Sequence, residues 1–174
     1  MKVLVIGIDG ADPDYLERGM KEGRLPTFKK LIEQGAYARL QSTIPPLSLP
    51  SWPSIYTGKN PGKTGIYNFV QMQPDSYETE MVDWKIPDTV WSLLSDKGKK
   101  VAMINNYFTY PPDEVNGIMI AAIDNISEGC YYPPALEKEI EQKLGKLDFG
   151  IIPQYYAIPK KQLTALTDEM LKAA

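Results

Sequence analysis

The chain has 174 residues, of which 43% are hydrophobic and 24% charged, and its formal net charge is −3. These values are ordinary for one soluble globular domain, and they carry no basic signal for nucleic acid or for an anionic membrane surface. With one cysteine and no histidine, the sequence excludes an internal disulfide, a cysteine metal cluster, a Ser-His-Asp triad and histidine-bound zinc. Any hydrolysis must use a carboxylate, a lysine or a metal held by oxygen ligands.

The lengths of the apolar stretches and the cysteine count indicate in which cellular compartment the protein works. The start, MKVLVIGIDG, is too short for a spanning helix and lacks the small-residue cleavage site of a signal peptide. No other stretch is apolar for long enough to span a membrane, and a lone cysteine fits a reducing compartment. We therefore expect a cytoplasmic protein with no membrane partner, and we predict Cys130 to be a small buried residue rather than a reactive thiol.

The first predicted element is a strand over residues 2–8. A continuous apolar run with β-branched residues is typical of a parallel strand buried on both faces. Asp9 follows at the carboxyl end of that strand, where open α/β sheets bind ligands. Two interpretations of Asp9 stay open: it belongs to a functional site, or it caps the next helix. Asp12 before Pro13 suits the cap better.

The rest of the chain alternates between helical and strand patterns. Helices are predicted over residues 12–21 and 26–34, followed by a short strand over 39–43. The next elements are an excursion or hairpin over 71–85 and a helix over 88–97, with Asp88 as its cap and Trp91 on its buried apolar face. Strands over 100–105 and 117–123 and helices over 135–144 and 160–172 complete the prediction. This alternation predicts a single α/β domain with a doubly wound, mostly parallel sheet flanked by helices.

Residues 43–68 combine hydroxyls, prolines, glycines and two lysines in one short span. Ser48 is expected to be the N-cap of a short helix with Pro50 in its first turn. Its hydroxyl would then lie among backbone N–H groups at the positive end of the helix, an environment that suits a phosphate. From the residues alone, Ser48 is either a helix cap or a nucleophile. Nearby hydroxyls that local chemistry does not separate from it belong to Ser51, Ser54 and Thr57.

The loop over residues 58–64, GKNPGKT, is similar to a phosphate-binding P-loop but breaks its spacing. That motif has four residues between its first glycine and Gly-Lys-Thr, and Thr57 stands where the glycine should be. Residues 65–69 also look like a turn into extended chain instead of the required helix. We interpret Lys59 and Lys63 as solvated charges at the rim of an anion site, with a P-loop nucleotide binder as the weaker alternative.

Three longer blocks, in order along the chain, resemble one family. They are VIGIDGAD with LPTFKKLIEQGAYARL, STIPPLSLPSWPSIYTGKNPGKTGIYNF, and DTVWSLLSDKGKKVAMINNYFTYPPDEVNGIMI. The resemblance is to the type I phosphodiesterase and nucleotide pyrophosphatase family of the alkaline phosphatase superfamily. It implies an alkaline phosphatase-like core, phosphoester substrates and two divalent metals, usually zinc, one of which activates a Thr or Ser nucleophile. By position it makes Ser48 the nucleophile and a metal ligand, and Asp9 a metal ligand. Ser51 stands where the pyrophosphatases have a phosphate-binding Asn.

The resemblance also implies metal ligands that this chain lacks: an Asp-x-x-x-His, an Asp-His pair and a further His. We therefore expect residues 1–174 to be the N-terminal portion of a larger catalytic domain, which binds metal poorly and is weakly active or inactive alone. The alternative is a non-catalytic module that binds phosphate or a nucleotide at the retained anion site. A doubly wound sheet that is cut midway should expose an edge, so we also expect self-association.

Overall fold

A computed structural model describes residues 2–83, 85–122 and 128–145. The chain divides into two compact units, Met1–Val82 and Asp83–Ala174, and each is described by itself. Within the described ranges, every helix is too short or too polar to cross a bilayer.

The first unit contains helices and one hairpin in its described part. Its elements are α1 (Pro13–Lys21), α2 (Pro26–Gln34), α3 (Ser48–Thr57), α4 (Pro61–Thr64), β1 (Val70–Met72) and β2 (Thr79–Met81). Asp12 caps α1 as predicted, because its carboxylate accepts a hydrogen bond from the backbone N–H of Tyr15 at 3.0 Å. The bounds of α2 match the prediction, and β1 pairs with β2 in antiparallel fashion, which confirms the predicted hairpin.

Two strand predictions in this unit are wrong. Residues 2–8 and 39–43 are not in strands, and the side chains of residues 3–6 are 74–83% exposed. A strand needs a neighbour that pairs its backbone N–H and C=O groups, and no described residue pairs with either segment. The apolar residues 3–8 have a high β-strand propensity, but the tertiary structure supplies no neighbouring strand among the described residues.

The buried side chains of the first unit come mainly from α3. Leu49, Pro50, Pro53 and Tyr56 are buried, and α3 packs against α4. Gly58 ends α3 in the left-handed conformation, with a φ of +67°, which glycine adopts without a steric penalty. The helix that begins with Ser48 is thus well anchored, although Ser48 itself is exposed.

The second unit is built on a small mixed sheet. Its described elements are α5 (Val90–Asp96), β3 (Val101–Asn106), β4 (Gly117–Ala121), β5 (Tyr131–Tyr132) and α6 (Ala135–Leu144). The sheet order is β3-β4-β5, with β3 parallel to β4 and β4 antiparallel to β5. These elements confirm the strands predicted near 100–105 and 117–123 and the helix at 135–144. Ile123 and the helix predicted over 160–172 lie outside the described residues.

The residue that caps α5 differs from the predicted one by one position. Thr89 is the N-cap, because its hydroxyl accepts a hydrogen bond from the backbone N–H of Ser92 at 3.3 Å. Asp88, the predicted cap, instead has a φ of +63°. Trp91 is buried in this unit as predicted, and Cys130 is fully buried against Ile120 and Tyr131.

The described elements confirm the α/β class. Their strands are short and form one three-stranded mixed sheet and one hairpin, not the predicted doubly wound, mostly parallel sheet. That larger sheet and the single-domain organisation of residues 1–174 stay predictions.

Candidate functional site

The predicted nucleophile and the predicted metal-binding carboxylate lie side by side in the first unit. The hydroxyl of Ser48 donates to the carboxylate of Asp9, with Oγ 3.0 Å from Oδ1 and 3.2 Å from Oδ2. The two residues are 39 positions apart in the chain, and both are exposed. The structure thus brings together the pair that the sequence analysis singled out and leaves it open to a solvent-borne ligand.

Ser48 is the first residue of α3 rather than its N-cap. The N-cap is Leu47, whose side chain makes no capping hydrogen bond, so the predicted cap is wrong by one residue. Because the Ser48 hydroxyl bonds to Asp9 and not to a backbone N–H group, helix capping does not explain the presence of a serine here. The first N–H groups of a helix have no partner inside the helix, so the positive end of α3 remains beside this hydroxyl.

The hydrogen-bond partners in the structure distinguish Ser48 from two of the nearby hydroxyl residues, Ser54 and Thr57. The hydroxyl of Ser54 donates to the backbone carbonyl of Pro50 at 2.8 Å, and that of Thr57 donates to the carbonyl of Pro53 at 2.6 Å. Both are contacts to the residue four positions earlier, a common use of hydroxyls inside helices. These two side chains are therefore held on their own helix, while Ser48 faces a carboxylate.

Ser51 has a different partner. Its Oγ lies 2.9 Å from Oγ1 of Thr43, and Thr43 Oγ1 donates to the carbonyl of Pro45 at 2.9 Å. A hydroxyl has one proton, and that of Thr43 goes to Pro45, so Ser51 is the donor in the bond between the two hydroxyls. This pair links the first turn of α3 to the segment before it. The contact of Ser51 with phosphate stays a prediction.

The loop over residues 58–64, which contains Lys59 and Lys63, does not have P-loop geometry. Asn60 caps α4 by accepting a hydrogen bond from the backbone N–H of Lys63 at 3.1 Å. The short helix then ends at Gly65, whose φ is +75°. The backbone N–H of Lys63 is bonded within the turn, and irregular residues and bends over 65–69 stand where a P-loop would continue into a long helix.

The sequence analysis missed a packing contact beside the Ser48–Asp9 pair. A Cβ atom placed on Gly7 would lie 2.6 Å from Cη2 and 2.7 Å from Cζ3 of Trp52. The indole ring therefore lies directly against the backbone of Gly7, two residues before Asp9. A glycine inside an apolar run often marks a close backbone approach, so the signal was present in the sequence.

A second missed feature connects α1 to the segment that leads to Thr43. Arg39 makes a forked contact with Glu17, with Nε 2.8 Å from Oε1 and Nη2 2.8 Å from Oε2. Its Nη2 also lies 2.5 Å from Oδ1 of Asp14, and Tyr37 donates to Glu17 at 3.0 Å. Hydrogen bonds from Arg39 and Tyr37 hold the pKa of Glu17 below its usual range, and Glu17 and Asp14 raise the pKa of the Arg39 guanidinium.

An open depression of about 480 Å³ lies at the start of α1 in the first unit. Its lining residues are Gly10, Asp12, Asp14, Tyr15 and Arg18. The guanidinium carbon of Arg18 lies 5.3 Å from the centroid of the Tyr15 ring, a cation–π contact. Asp9 and Ser48 are not among its lining residues.

The pair does not make a complete metal site. Asp9 and Ser48 offer two oxygen ligands, whereas a catalytic zinc ion takes three protein ligands and a water. Among the residues that the structure describes, no group of three His, Cys, Asp or Glu side chains is placed to hold a metal ion.

A protein-family model matches most of this chain. The model of the family described as type I phosphodiesterase / nucleotide pyrophosphatase matches residues 3–171, a span that contains Asp9, Ser48 and Trp52. No significant match was found among curated proteins or among solved structures. Since the matched residues cover most of the sequence, the chain belongs to the type I phosphodiesterase / nucleotide pyrophosphatase family.

Proposed function

We propose that this chain carries the nucleophile of a metal-dependent phosphoester hydrolase of the phosphodiesterase and nucleotide pyrophosphatase type, and that Ser48 is that nucleophile. The observation that supports the proposal most is the pair of hydrogen bonds from Ser48 to Asp9, at 3.0 and 3.2 Å. A serine hydroxyl is a weak nucleophile until a neighbouring group orients it and accepts its proton. The family supplies the reaction class.

The first chemical step follows from this geometry. The Oγ atom of Ser48 forms a bond to phosphorus while the bond from phosphorus to the leaving oxygen breaks. The Ser48 proton passes to the Asp9 carboxylate, which is within hydrogen-bond reach. The leaving oxygen takes up the proton that Asp9 received, and a water then hydrolyses the phosphoseryl intermediate, which restores the Ser48 hydroxyl and leaves Asp9 as a carboxylate. The positive end of α3 stabilises the negative charge that develops on the phosphoryl oxygens.

Zinc is the divalent metal proposed for this site, with Asp9 and Ser48 as two of its ligands. Two ligands fall short of a catalytic zinc site. The proposal therefore includes weak metal binding, and weak or absent turnover, by residues 1–174 alone.

The test uses bis(p-nitrophenyl) phosphate with Zn²⁺ or Mn²⁺, followed by release of nitrophenol and by mass spectrometry of the protein. We expect little or no steady turnover and a phosphoryl adduct on Ser48 that is lost in Ser48→Ala. The matched control is Ser54→Ala, which removes a hydroxyl of the same helix that is held by the Pro50 carbonyl and should leave the adduct unchanged.

Two outcomes would overturn parts of the proposal. An adduct that persists in Ser48→Ala would show that another residue is the nucleophile. Robust turnover that Ser48→Ala abolishes would confirm the nucleophile but show that the chain needs no further metal ligands.

A second candidate function is a non-catalytic module that binds phosphate or a nucleotide. The lack of a three-ligand metal cluster among the described residues favours it. It predicts heat in calorimetric titrations with inorganic phosphate or AMP, without turnover, and weaker binding in Ser51→Ala. Titrations without heat for both ligands would remove this candidate.

A further inference from the structure

We propose that Trp52 is a positioning residue whose indole ring, seated on the backbone of Gly7, sets the position of Asp9 relative to Ser48. The catalytic meaning of this inference rests on the proposed function. The packing contact itself does not, and it can be tested separately.

Trp52 and Gly7 each stand close to one member of the pair. Trp52 is four residues after Ser48 on α3, and helical residues at this spacing lie on the same face, with side chains leaning towards the N-terminus. Gly7 precedes Asp9 by two residues, which is at most about 7 Å of chain. A contact between Trp52 and Gly7 therefore locates the Asp9 backbone near the end of the helix that carries Ser48.

Little else in the described residues holds Asp9 in place. Asp9 and Ser48 are both exposed, and residues 2–8 form no strand pairing with any described residue. Within the part of the chain that the structure describes, the packing of Trp52 on Gly7 is thus a contact that locates this segment beside α3 without sheet pairing. Asp12 caps α1 and fixes the chain only on the far side of Asp9.

The contact between Trp52 and Gly7 is possible because glycine has no Cβ atom. Carbon atoms pack at about 3.5–4.0 Å, whereas a Cβ on Gly7 would come within 2.6 Å of the ring. Either the ring or the segment that carries Asp9 would have to move by about 1 Å. Misplacement by that distance can reduce a reaction rate by about 100-fold.

The first test needs no variant. In the NMR spectrum of the wild-type chain, we expect nuclear Overhauser contacts from the Gly7 Hα protons to Hη2 and Hζ3 of Trp52, and from the Asp9 Hβ protons to those of Ser48. Absence of the Gly7–Trp52 contacts would overturn the inference whatever the activity of the protein.

The second test is a double-variant cycle. Gly7→Ala should remove the Asp9–Ser48 contact and lower formation of the phosphoryl adduct on Ser48 by more than about tenfold. In a Trp52→Leu background, which leaves space for the new methyl group, the same Gly7→Ala change should have no further effect. Equal losses from Gly7→Ala in both backgrounds would overturn the positioning role, because a coupled pair must show non-additivity.

The controls separate failure of this inference from failure of the proposed function. Leu4→Ala changes an exposed residue of the same apolar run and should preserve both the Asp9–Ser48 contact and the adduct. If Gly7→Ala does not fold, Trp52→Phe removes the outer ring and should weaken the Asp9–Ser48 contact; an unchanged contact would contradict the inference. Intact contacts without any adduct would count against the nucleophile and not against Trp52.

Discussion

Two apolar runs in this chain have similar composition and opposite environments. Residues 3–8, VLVIGI, are largely exposed, with Val3, Leu4, Val5 and Ile6 at 74–83%. Residues 117–122, GIMIAA, form β4 and its end, and Met119, Ile120, Ala121 and Ala122 are 0–6% exposed. Both runs satisfy the same pattern for a buried strand, so the pattern alone does not distinguish them.

The difference lies in the neighbours. β4 has β3 on one side and β5 on the other, and α6 packs against β5. No described residue pairs with residues 2–8. A buried strand is stable because its backbone hydrogen bonds and side-chain contacts are supplied by other segments. Strand propensity is therefore a condition for burial and not a cause of it.

The largest expected effect comes from the glycine that begins the buried run. Gly117 has a φ of +153°, and a Cβ there would lie 1.9 Å from the backbone oxygen of Val101. We expect Gly117→Ala to lower the free energy of unfolding by about 4 kcal/mol, from strain and overpacking together. Gly10→Ala, at the end of the exposed run, meets no atom within 4 Å and should cost only about 1 kcal/mol for its positive φ. Urea denaturation measures the free energy of unfolding of both variants. A larger loss of stability in Gly10→Ala than in Gly117→Ala would contradict this prediction.

The next effect compares two large side chains directly. Met119→Ala should destabilise the protein by about 3 kcal/mol, because Met119 is fully buried and its removal leaves a cavity. Leu4→Ala should change stability by less than about 0.5 kcal/mol, because Leu4 is exposed. Thermal or urea unfolding measures both. A loss from Leu4→Ala as large as that from Met119→Ala would mean that residues 3–8 are buried in solution.

A chemical probe of the buried run is provided by Cys130. Its thiol is fully buried against Ile120, and burial raises its pKa. Since the thiolate is the reactive form, we expect iodoacetamide to modify Cys130 more than about tenfold more slowly in buffer than in urea. Equal rates in the two conditions would show that the sheet around β4 opens readily.

The smallest expected effect is electrostatic and concerns the link between α1 and Arg39. The pKa of Glu17 is lowered by Arg39 and Tyr37. Its contribution to stability is therefore present above the pKa of the unfolded chain and is lost as the pH falls through the lower, folded value. An NMR titration of the Glu17 carboxyl should give a midpoint below the ordinary glutamate range, and Arg39→Gln should move it back up. An unchanged midpoint in Arg39→Gln would show that the ion pair is not formed in solution.

Local rules were sufficient for most helix positions, whereas the family resemblance, and not local chemistry, selected Asp9 and Ser48 as site residues. Asp12 before Pro13 predicted the start of α1, and the bounds of α2 and α6 were predicted to the residue. Asp9 and Ser48 were singled out together, and they form a hydrogen bond across 39 positions. The predicted cap at Ser48 was wrong by one residue. The Ser48 hydroxyl bonds to Asp9, a contact between distant segments that local rules do not predict.

Backbone propensity, capping and the order of the sequence blocks thus determined the helices, the α/β class and the family, since each depends on residues close together in the chain or on their order. Which apolar run is buried, which hydroxyl of α3 meets a carboxylate, and which ring packs against Gly7 were decided by the tertiary structure. These outcomes depend on contacts between segments far apart in the chain. Such contacts form only when the whole unit supplies the partner atoms and the space.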